Sequence, residues 1–197
     1  MMNRIELPLF PLNTVLFPGG LLPLKVFEQR YVEMTKGCLR DGTAFGVCRI
    51  REGAEVGDPA LPAALGCTAR IEQWDLPHPN LFHLAARGGE RFRILRSEVV
   101  ALGLTMAEAE LLPVEEHPGA PDALCRDILA GVIERIGADR FGAEPRLDDA
   151  AWVSYRLAEI LPLSLDLRQQ LLETDTAQDR LHRLRKILAA AGVERPT

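Results

Sequence analysis

The sequence predicts an α+β protein in which a closed or partly closed β-barrel is followed by a small helical bundle. Up to about residue 111, apolar and polar residues alternate in short runs, a period of two that is typical of half-buried strands. After Pro118-Gly119-Ala120-Pro121 the apolar residues recur at helical spacing instead. The connections between the strand-like runs are short, which favours antiparallel or mixed pairing in a barrel over a layered α/β sheet.

The first part of the chain predicts two strands, an irregular crossing and one helix. Apolar residues alternate with their neighbours over residues 5–9 and 22–26, and prolines inside both runs place them at sheet edges or strand ends. Between them, Phe17-Pro18-Gly19-Gly20 predicts a turn-rich crossing. From residue 28 to 39 the spacing of apolar residues predicts the one long helix of this half.

Further strands are expected at residues 44–50, 67–74, 81–96 and 104–111. The segment Arg87-Gly88-Gly89-Glu90 carries turn residues, and we predict that it folds the 81–96 region into a hairpin. Residues 51–65 are rich in Gly, Pro, Ala and acidic residues and are expected to form a loop or flap. Pro113 ends the last strand.

Four helices are predicted after the change of period, which gives a barrel domain at residues 1–116 and a helical domain at residues 117–197. The first helix carries an apolar stripe from Leu124 and ends at Gly137. The second begins at about Asp148, with that aspartate as its cap. The third begins at Ser164 as N-cap, and the fourth begins near Asp175.

Charge and cysteine content restrict the classes of function. The formal net charge is −5 and both parts are acidic, whereas nucleic-acid binding depends on Lys and Arg that neutralise phosphates. The four cysteines form no C-x-x-C pair, and reduced thiols are expected. His78 and His83 flank a predicted turn, so a metal site that uses both histidines is one interpretation. The favoured interpretation is that they are polar loop residues. No metal or cofactor is therefore predicted.

The longest uncharged stretch does not predict a membrane span. It runs for 18 residues from Leu7 to Leu24, near the lower limit of a span. It contains four prolines and two glycines, and a helix in lipid could not replace the backbone donors that the prolines remove. The start of the chain also lacks the pattern of a signal peptide. A soluble cytoplasmic protein is expected.

Motifs for catalysis are missing from the sequence. No segment matches G-x-x-x-x-G-K-[ST], the loop that cradles nucleotide phosphates. None of the three serines lies in a G-x-S-x-G turn, and no two histidines have the spacing of a helical zinc pair. We therefore expect a protein that is not an enzyme.

Two features are candidates for binding. Arg87, Arg91, Arg93 and Arg96 fall within ten residues, and strand alternation places Arg91 and Arg93 together on an outer face, with Phe92 and Ile94 inward. A polyanion or an acidic peptide would bind such a face, although a solvated face with surface ion pairs is the more common interpretation. The second feature is an apolar group that is either core or docking surface, namely Phe10, Phe17, Leu21, Leu22 and Phe27.

Ordered motifs along almost the whole chain resemble those of one known family. Near the start, the similar segments are Leu9-Phe10-Pro11-Leu12-Asn13, Val15-Leu16-Phe17-Pro18-Gly19-Gly20 and Phe27-Glu28-Gln29-Arg30-Tyr31. Later ones are Gly66-Cys67-Thr68-Ala69-Arg70-Ile71, Gly89-Glu90-Arg91-Phe92-Arg93-Ile94 and Leu161-Pro162-Leu163-Ser164. The family that these motifs resemble is the amino-terminal substrate-binding domain of Lon proteases, and the shared order of so many motifs makes the resemblance specific.

The resemblance implies a PUA-like β pseudo-barrel with one inserted helix, followed by a helical bundle. It also implies recognition of unfolded or tagged polypeptides and is compatible with an adaptor or regulator of proteolysis, without supplying a catalytic residue. The candidate binding residues are Phe27, Glu28, Arg30, Tyr31, Arg87, Arg91, Arg93 and Arg96. The alternative is a PUA-like RNA-binding protein that uses the Arg87 to Arg96 hairpin. Self-association through the helical bundle stays open as a third interpretation.

Overall fold

The computed structural model describes residues 3–141 and 144–193, and the chain divides into two compact units between Pro113 and Val114. The strands of the first unit are β1 (Arg4–Leu12), β2 (Leu21–Val26), β3 (Phe45–Glu52), β4 (Leu61–Pro62), β5 (Leu65–His78), β6 (Leu81–Val99) and β7 (Thr105–Leu111). Its helix α1 (Gln29–Asp41) lies between β2 and β3, and a 3-10 turn (Ala101–Gly103) joins β6 to β7. The second unit contains α2 (Ala123–Ile136), a 3-10 turn (Ala138–Phe141), α3 (Ala150–Ile160), α4 (Leu165–Glu173) and α5 (Ala177–Ala190).

The strands of the first unit pair in a closed cycle. Neighbouring strands follow the order β1-β7-β6-β5-β3, and β3 returns to pair with β1. The pairing of β1 with β3 is parallel, whereas the other pairings of the cycle are antiparallel. β2 pairs with the first part of β6, from Phe82 to Arg87, and the short β4 pairs with β3. The predicted α+β protein with a mostly antiparallel sheet ahead of helices is confirmed.

Helix α1 covers one of the two apolar clusters of this unit. The ring of Tyr31 stacks on that of Phe10 with the centroids 4.1 Å apart, and Phe10 also contacts Phe45. The other cluster surrounds the buried Phe92 with small and aliphatic residues of β1, β3 and β7, namely Leu7, Leu9, Cys48, Ala107 and Ala109. The core therefore depends on strands that are distant in sequence.

The predicted hairpin at Arg87-Gly88-Gly89-Glu90 is wrong, because β6 runs without interruption from Leu81 to Val99. The two glycines allow neighbouring segments to approach β6 closely and do not form a turn. A Cβ at Gly88 would lie 2.2 Å from the carbonyl oxygen of Phe17, and one at Gly89 would lie 2.6 Å from the Thr68 hydroxyl. Gly88 also exchanges backbone hydrogen bonds with the crossing, donating to Gly20 and accepting from Gly19 at 2.8 Å each.

The hairpin of this region joins β5 to β6 instead. His78 pairs with Leu81, and the intervening Asn80 has a φ of 63°, a left-handed conformation that asparagine tolerates better than most residues. Further along the pair, β6 has one extra residue between the Ala69–Gly88 and Cys67–Arg91 pairs, which forms a β-bulge. The Thr68 hydroxyl accepts a hydrogen bond from the Glu90 amide at 2.9 Å within this bulge.

The second unit follows the predicted helices closely. Ser164 caps α4 as predicted, whereas α3 is capped by Asp149, which accepts from the Trp152 amide, and not by Asp148. Helix α5, which was expected to begin near Asp175, begins after Thr176, and its residues Leu181, Leu184 and Leu188 are buried. Helix α3 packs against α2, α4 and α5. The buried Arg180 donates to the Ser154 hydroxyl at 2.9 Å and to the Thr174 carbonyl at 2.8 Å.

Replacing Gly88 by Ala is predicted to destabilise the first unit by about 3 kcal/mol, since the added methyl group meets a backbone oxygen that cannot rotate away. The measurement is urea unfolding followed by circular dichroism. Gly37→Ala is the matched control, because a Cβ at Gly37 in α1 has nothing within 4 Å and alanine is the better helix former. Equal stability of the Gly88 variant and the wild type would show that the close contact with Phe17 does not exclude a side chain at this position.

Limited proteolysis is predicted to cut first between residues 112 and 122, because most of this connecting segment is exposed and contains no helix or strand after β7. Mass spectrometry of the fragments identifies the site. Initial cleavage within β5 or β6 would contradict a boundary near residues 116 and 117.

Candidate functional site

The predicted binding residues fall into two groups with different environments. Phe27, Glu28, Arg30 and Tyr31 come together at the start of α1. The four arginines of the second group are distributed along the continuous β6 and do not share one surface environment. The first group therefore provides the more compact site.

Arg30 links three segments that are distant in sequence. Its side chain is only 5% exposed, and Nη2 donates to the Glu28 carboxylate at 2.9 Å and to the Gly57 carbonyl at 2.7 Å. Nη1 donates to the Gly103 carbonyl at 3.3 Å. The Glu28 carboxylate in turn accepts from the Gly57 amide at 3.4 Å. We call this arrangement of Glu28, Arg30, Gly57 and Gly103 the Arg30 junction.

Tyr31 has a structural position beside the junction. The Arg30 guanidinium carbon lies 4.8 Å from the centre of its ring, a cation–π distance. Burial raises the pKa of the Tyr31 hydroxyl, and the nearby Arg30 opposes that shift. The hydroxyl is therefore protonated at neutral pH. The ring serves as core and as a support for the arginine.

Three large apolar side chains are exposed around the Arg30 junction. Phe27 is 56% exposed, Val56 is 57% exposed and Leu102 is 62% exposed. Phe27 precedes the helix cap, Val56 precedes Gly57, and Leu102 precedes Gly103, so each is adjacent to a residue of the junction. We call Phe27, Val56 and Leu102 the apolar surface.

Leu102 is held in an unfavourable backbone conformation. Its φ of 63° lies in the left-handed region, where a leucine costs about 1–2 kcal/mol. Hydrogen bonds of the turn maintain it, from the Val100 amide to the Leu104 carbonyl at 2.7 Å and from the Gly103 amide to the Val100 carbonyl at 3.1 Å. Burial of the side chain does not offset the cost, since the side chain is exposed. Such positions are enriched at functional surfaces.

Arg87 is neutralised by a bidentate ion pair. Its Nε and Nη2 donate to the two Glu72 carboxylate oxygens at 2.8 and 2.7 Å, and Nη1 donates to the Gly19 carbonyl at 3.0 Å. These hydrogen bonds lower the pKa of Glu72. Arg87 thus attaches the segment between β1 and β2 to strands β5 and β6.

The expectation that Arg91 is exposed is wrong, since only 7% of the residue is accessible. Its Cα partner is Cys67 on β5, and its carbonyl accepts from the Leu112 amide at 2.8 Å on the other side. Alternation assigns a side chain to a face of the sheet but does not say whether that face is covered. Phe92 is buried and Ile94 is half-buried, as predicted.

Arg93 and Arg96 are exposed, but acidic residues of β7 oppose them. Arg93 pairs in register with Glu110, and Arg96 donates to the Glu108 carboxylate at 2.7 Å. Glu108 also accepts from Arg4 at 3.2 Å. A cavity of about 330 Å³ lies beside these residues, and its charged lining residues are Arg4, Arg96, Glu6, Glu98 and Glu108. Three carboxylates against two guanidinium groups do not favour an anion there.

No sequence pattern pointed to Val56 and Leu102 as site residues. Val56 is an isolated apolar residue in a loop, and Leu102 ends the short apolar run Val99-Val100-Ala101-Leu102, which has no periodic pattern. The contacts of Gly57 and Gly103 with Arg30 place both residues next to the Arg30 junction. Of the apolar group predicted from the sequence, Phe10 and Phe17 are buried, whereas Leu21 and Phe27 are exposed.

Residues 3–141 and 144–193 offer few side chains arranged for nucleophilic catalysis or metal binding. All four cysteines are free and buried, and burial raises the pKa of Cys48 to about 12, so that its thiol is protonated at neutral pH. Within this range no three His, Cys, Asp or Glu side chains form a group that could hold a metal ion. No described helix is long and apolar enough to cross a membrane.

Comparison with known proteins gives a consistent result. The model of the ATP-dependent protease La (LON) substrate-binding domain matches residues 6–190. A Lon protease of Anaeromyxobacter dehalogenans is 28% identical over 196 residues, which cover 92% of this chain and 23% of that protein. The chain thus spans about a quarter of the length of this curated relative.

Two solved structures have the same fold. The crystal structure of the Lon N-terminal domain protein from Xanthomonas campestris is 39% identical, with a TM-score of 0.74 over 92% of this chain and 98% of that chain. The N-terminal domain of the Mycobacterium avium complex Lon protease is 18% identical, with a TM-score of 0.66 over 91% and 96% of the two chains. The second similarity concerns the fold alone.

Replacing Arg30 by Met is predicted to lower the free energy of unfolding by about 3 kcal/mol, because Glu28 and two carbonyls lose a buried charged donor. Urea unfolding measures the change. Arg40→Met in the same helix is the control: Arg40 is well exposed and forms an ion pair with the adjacent Asp41, so we expect no measurable change in stability. Similar losses in both variants would refute a special role for the junction.

Proposed function

Because this chain belongs to the family of Lon substrate-binding domains, we propose that it is a non-catalytic module that binds unfolded or tagged polypeptides. The closed cycle of strands is the PUA-like barrel of this proposal, and the apolar surface beside the Arg30 junction is its binding site. In this function the module acts in the bacterial cytoplasm as an adaptor or regulator of proteolysis.

The observation that carries the proposal is the exposure of Phe27, Val56 and Leu102 next to residues that hydrogen bonds of Arg30 hold together. Unfolded chains expose apolar side chains that folded proteins bury, and burial of apolar area is the main favourable term when such chains bind. The Arg30 junction fixes the three segments before the ligand arrives. Less conformational entropy is therefore lost on binding.

Electrostatics support polypeptide over RNA as the ligand. Of the four arginines that would contact phosphates, Arg87 and Arg96 are paired with glutamates and Arg91 is buried. The exposed Arg93 is opposed by Glu110 in the neighbouring strand. Phosphate binding would have to break these pairs in a chain of net charge −5.

We predict that the protein binds reduced, carboxymethylated α-lactalbumin, which cannot fold, and does not bind the folded form. Phe27→Ser and Leu102→Ser should each weaken binding roughly tenfold, the effect of removing one apolar anchor worth more than about 1 kcal/mol. Fluorescence anisotropy with a labelled ligand measures the affinity. Leu95→Ser is the control, since Leu95 is exposed on β6 outside the apolar surface.

Salt provides a second readout for the same experiment. Binding through apolar contacts should change little between about 50 and 200 mM salt, whereas binding through phosphates weakens steeply. Tight, salt-sensitive binding of a single-stranded RNA that survives both serine substitutions would refute the proposal. Equal binding of folded and unfolded α-lactalbumin would refute it as well.

A further inference from the structure

A small preformed groove adjoins the apolar surface. Its floor consists of Phe10, Leu12, Val26 and Tyr31, all of which are buried. Phe27 and Val56 stand at its mouth. The groove is therefore apolar at the bottom and continuous with two residues of the apolar surface.

The size of the groove fits one branched aliphatic side chain. Its volume is about 50 Å³, room for roughly three or four water-sized groups. The side chains of valine and leucine have three and four carbons, whereas the rings of phenylalanine and tryptophan are larger. A single methyl group, as in alanine, would leave most of the groove empty.

The walls of the groove are fixed by contacts on both sides. The loop that carries Val56 is held by the Glu55 carboxylate, which accepts from the Asn13 amide, and by the hydrogen bond of Arg30 to the Gly57 carbonyl. On the floor, Phe10 stacks on Tyr31. A groove with fixed walls discriminates by size, because it cannot adjust to a larger side chain without breaking these contacts.

Charges around the groove balance each other. Its lining includes Lys25, Glu28 and Glu55, and the buried Arg30 faces Glu28. Two cations against two carboxylates favour an uncharged group at the centre. Of the four floor residues only Tyr31 carries a polar side-chain group, so the floor offers more contact to an apolar side chain than to a polar one.

We propose that this groove is a specificity pocket that takes one aliphatic side chain, leucine or valine, from a bound polypeptide. The inference rests on the proposed function, which it refines: the apolar surface holds the chain, and the groove selects the residue. The groove selects this side chain by its shape and apolar character, and contacts with the ligand backbone do not contribute to the selection.

The test uses N-acetyl-leucine amide as probe and amide chemical shifts of the 15N-labelled full chain as readout. We expect saturable shifts at Phe27, Glu55 and Val56 at millimolar concentrations, with N-acetyl-alanine amide and N-acetyl-phenylalanine amide roughly tenfold weaker. Val56→Asp should abolish the shifts, while Val114→Asp, at a more exposed valine outside the groove, should leave them unchanged. Absence of saturable shifts, or equal affinity for the three probes, overturns the pocket.

A second variant reverses the selectivity. Leu12→Ala enlarges the floor, and the variant should then prefer N-acetyl-phenylalanine amide over the leucine probe. If this variant does not fold, the three-probe comparison and Val56→Asp still decide the proposal. Enlargement without a change in preference contradicts selection by size.

The outcomes separate the pocket from the proposed function. Leu102 does not line the groove, so Leu102→Ser should weaken binding of unfolded α-lactalbumin and leave binding of the leucine probe intact. Unfolded protein that binds while the leucine probe does not refutes the pocket alone. A leucine probe that binds while unfolded protein does not refutes the proposed function alone.

Discussion

The double pairing of β1 is the constraint on which the first unit depends. β1 pairs with β7 on one edge and with β3 on the other, which closes the cycle of strands. Closure leaves space for few large side chains, and Phe92 occupies its centre. A Cβ at Gly46 would lie 2.7 Å from the Phe92 ring, and one at Gly66 would lie 2.9 Å from it. At Gly46 the Phe92 ring is the nearest obstacle to a Cβ, whereas at Gly66 the Val47 carbonyl oxygen is nearer still, at 2.5 Å.

The candidate site depends indirectly on the closure of this strand cycle. β1 positions Phe10, on which Tyr31 stacks, and this contact fixes the start of α1 where Arg30 lies. A buried guanidinium is costly unless its donors are satisfied, and Nη1 and Nη2 of Arg30 donate to Glu28 and two loop carbonyls. Its buried Nε has no hydrogen-bond acceptor among the described residues. The loops therefore adopt positions that expose Val56 and Leu102. An electrostatic requirement inside the fold in this way determines an apolar surface outside it.

The arginines of β6 illustrate how a sequence cluster can lose its functional meaning in the fold. In the sequence they form a dense positive segment, but in the sheet Arg87 pairs with Glu72 of β5, and Arg93 and Arg96 lie opposite Glu110 and Glu108 of β7. Arg91 is buried. Arg87 holds the crossing through Glu72 and the Gly19 carbonyl, and Arg96 joins Glu108. These residues stabilise strand connections. The apolar surface, with fewer charges, is left as the better candidate for ligand binding.

The sequence by itself determined the family, the order of the elements and most helix ends. Caps and helical spacing are local, so Ser164 and Gly137 could be identified without any knowledge of contacts. The site was predicted only in part: Phe27 and Arg30 stood in a recognisable motif, whereas Val56 and Leu102 did not. Tertiary structure decided the rest. Gly88 and Gly89 satisfy a turn and a close approach equally well as residue types, and only the approach of Phe17 and Thr68 distinguishes the two. Likewise, Arg30 meets Gly57 and Gly103 across 27 and 73 residues of chain, and no local pattern encodes contacts at such separations.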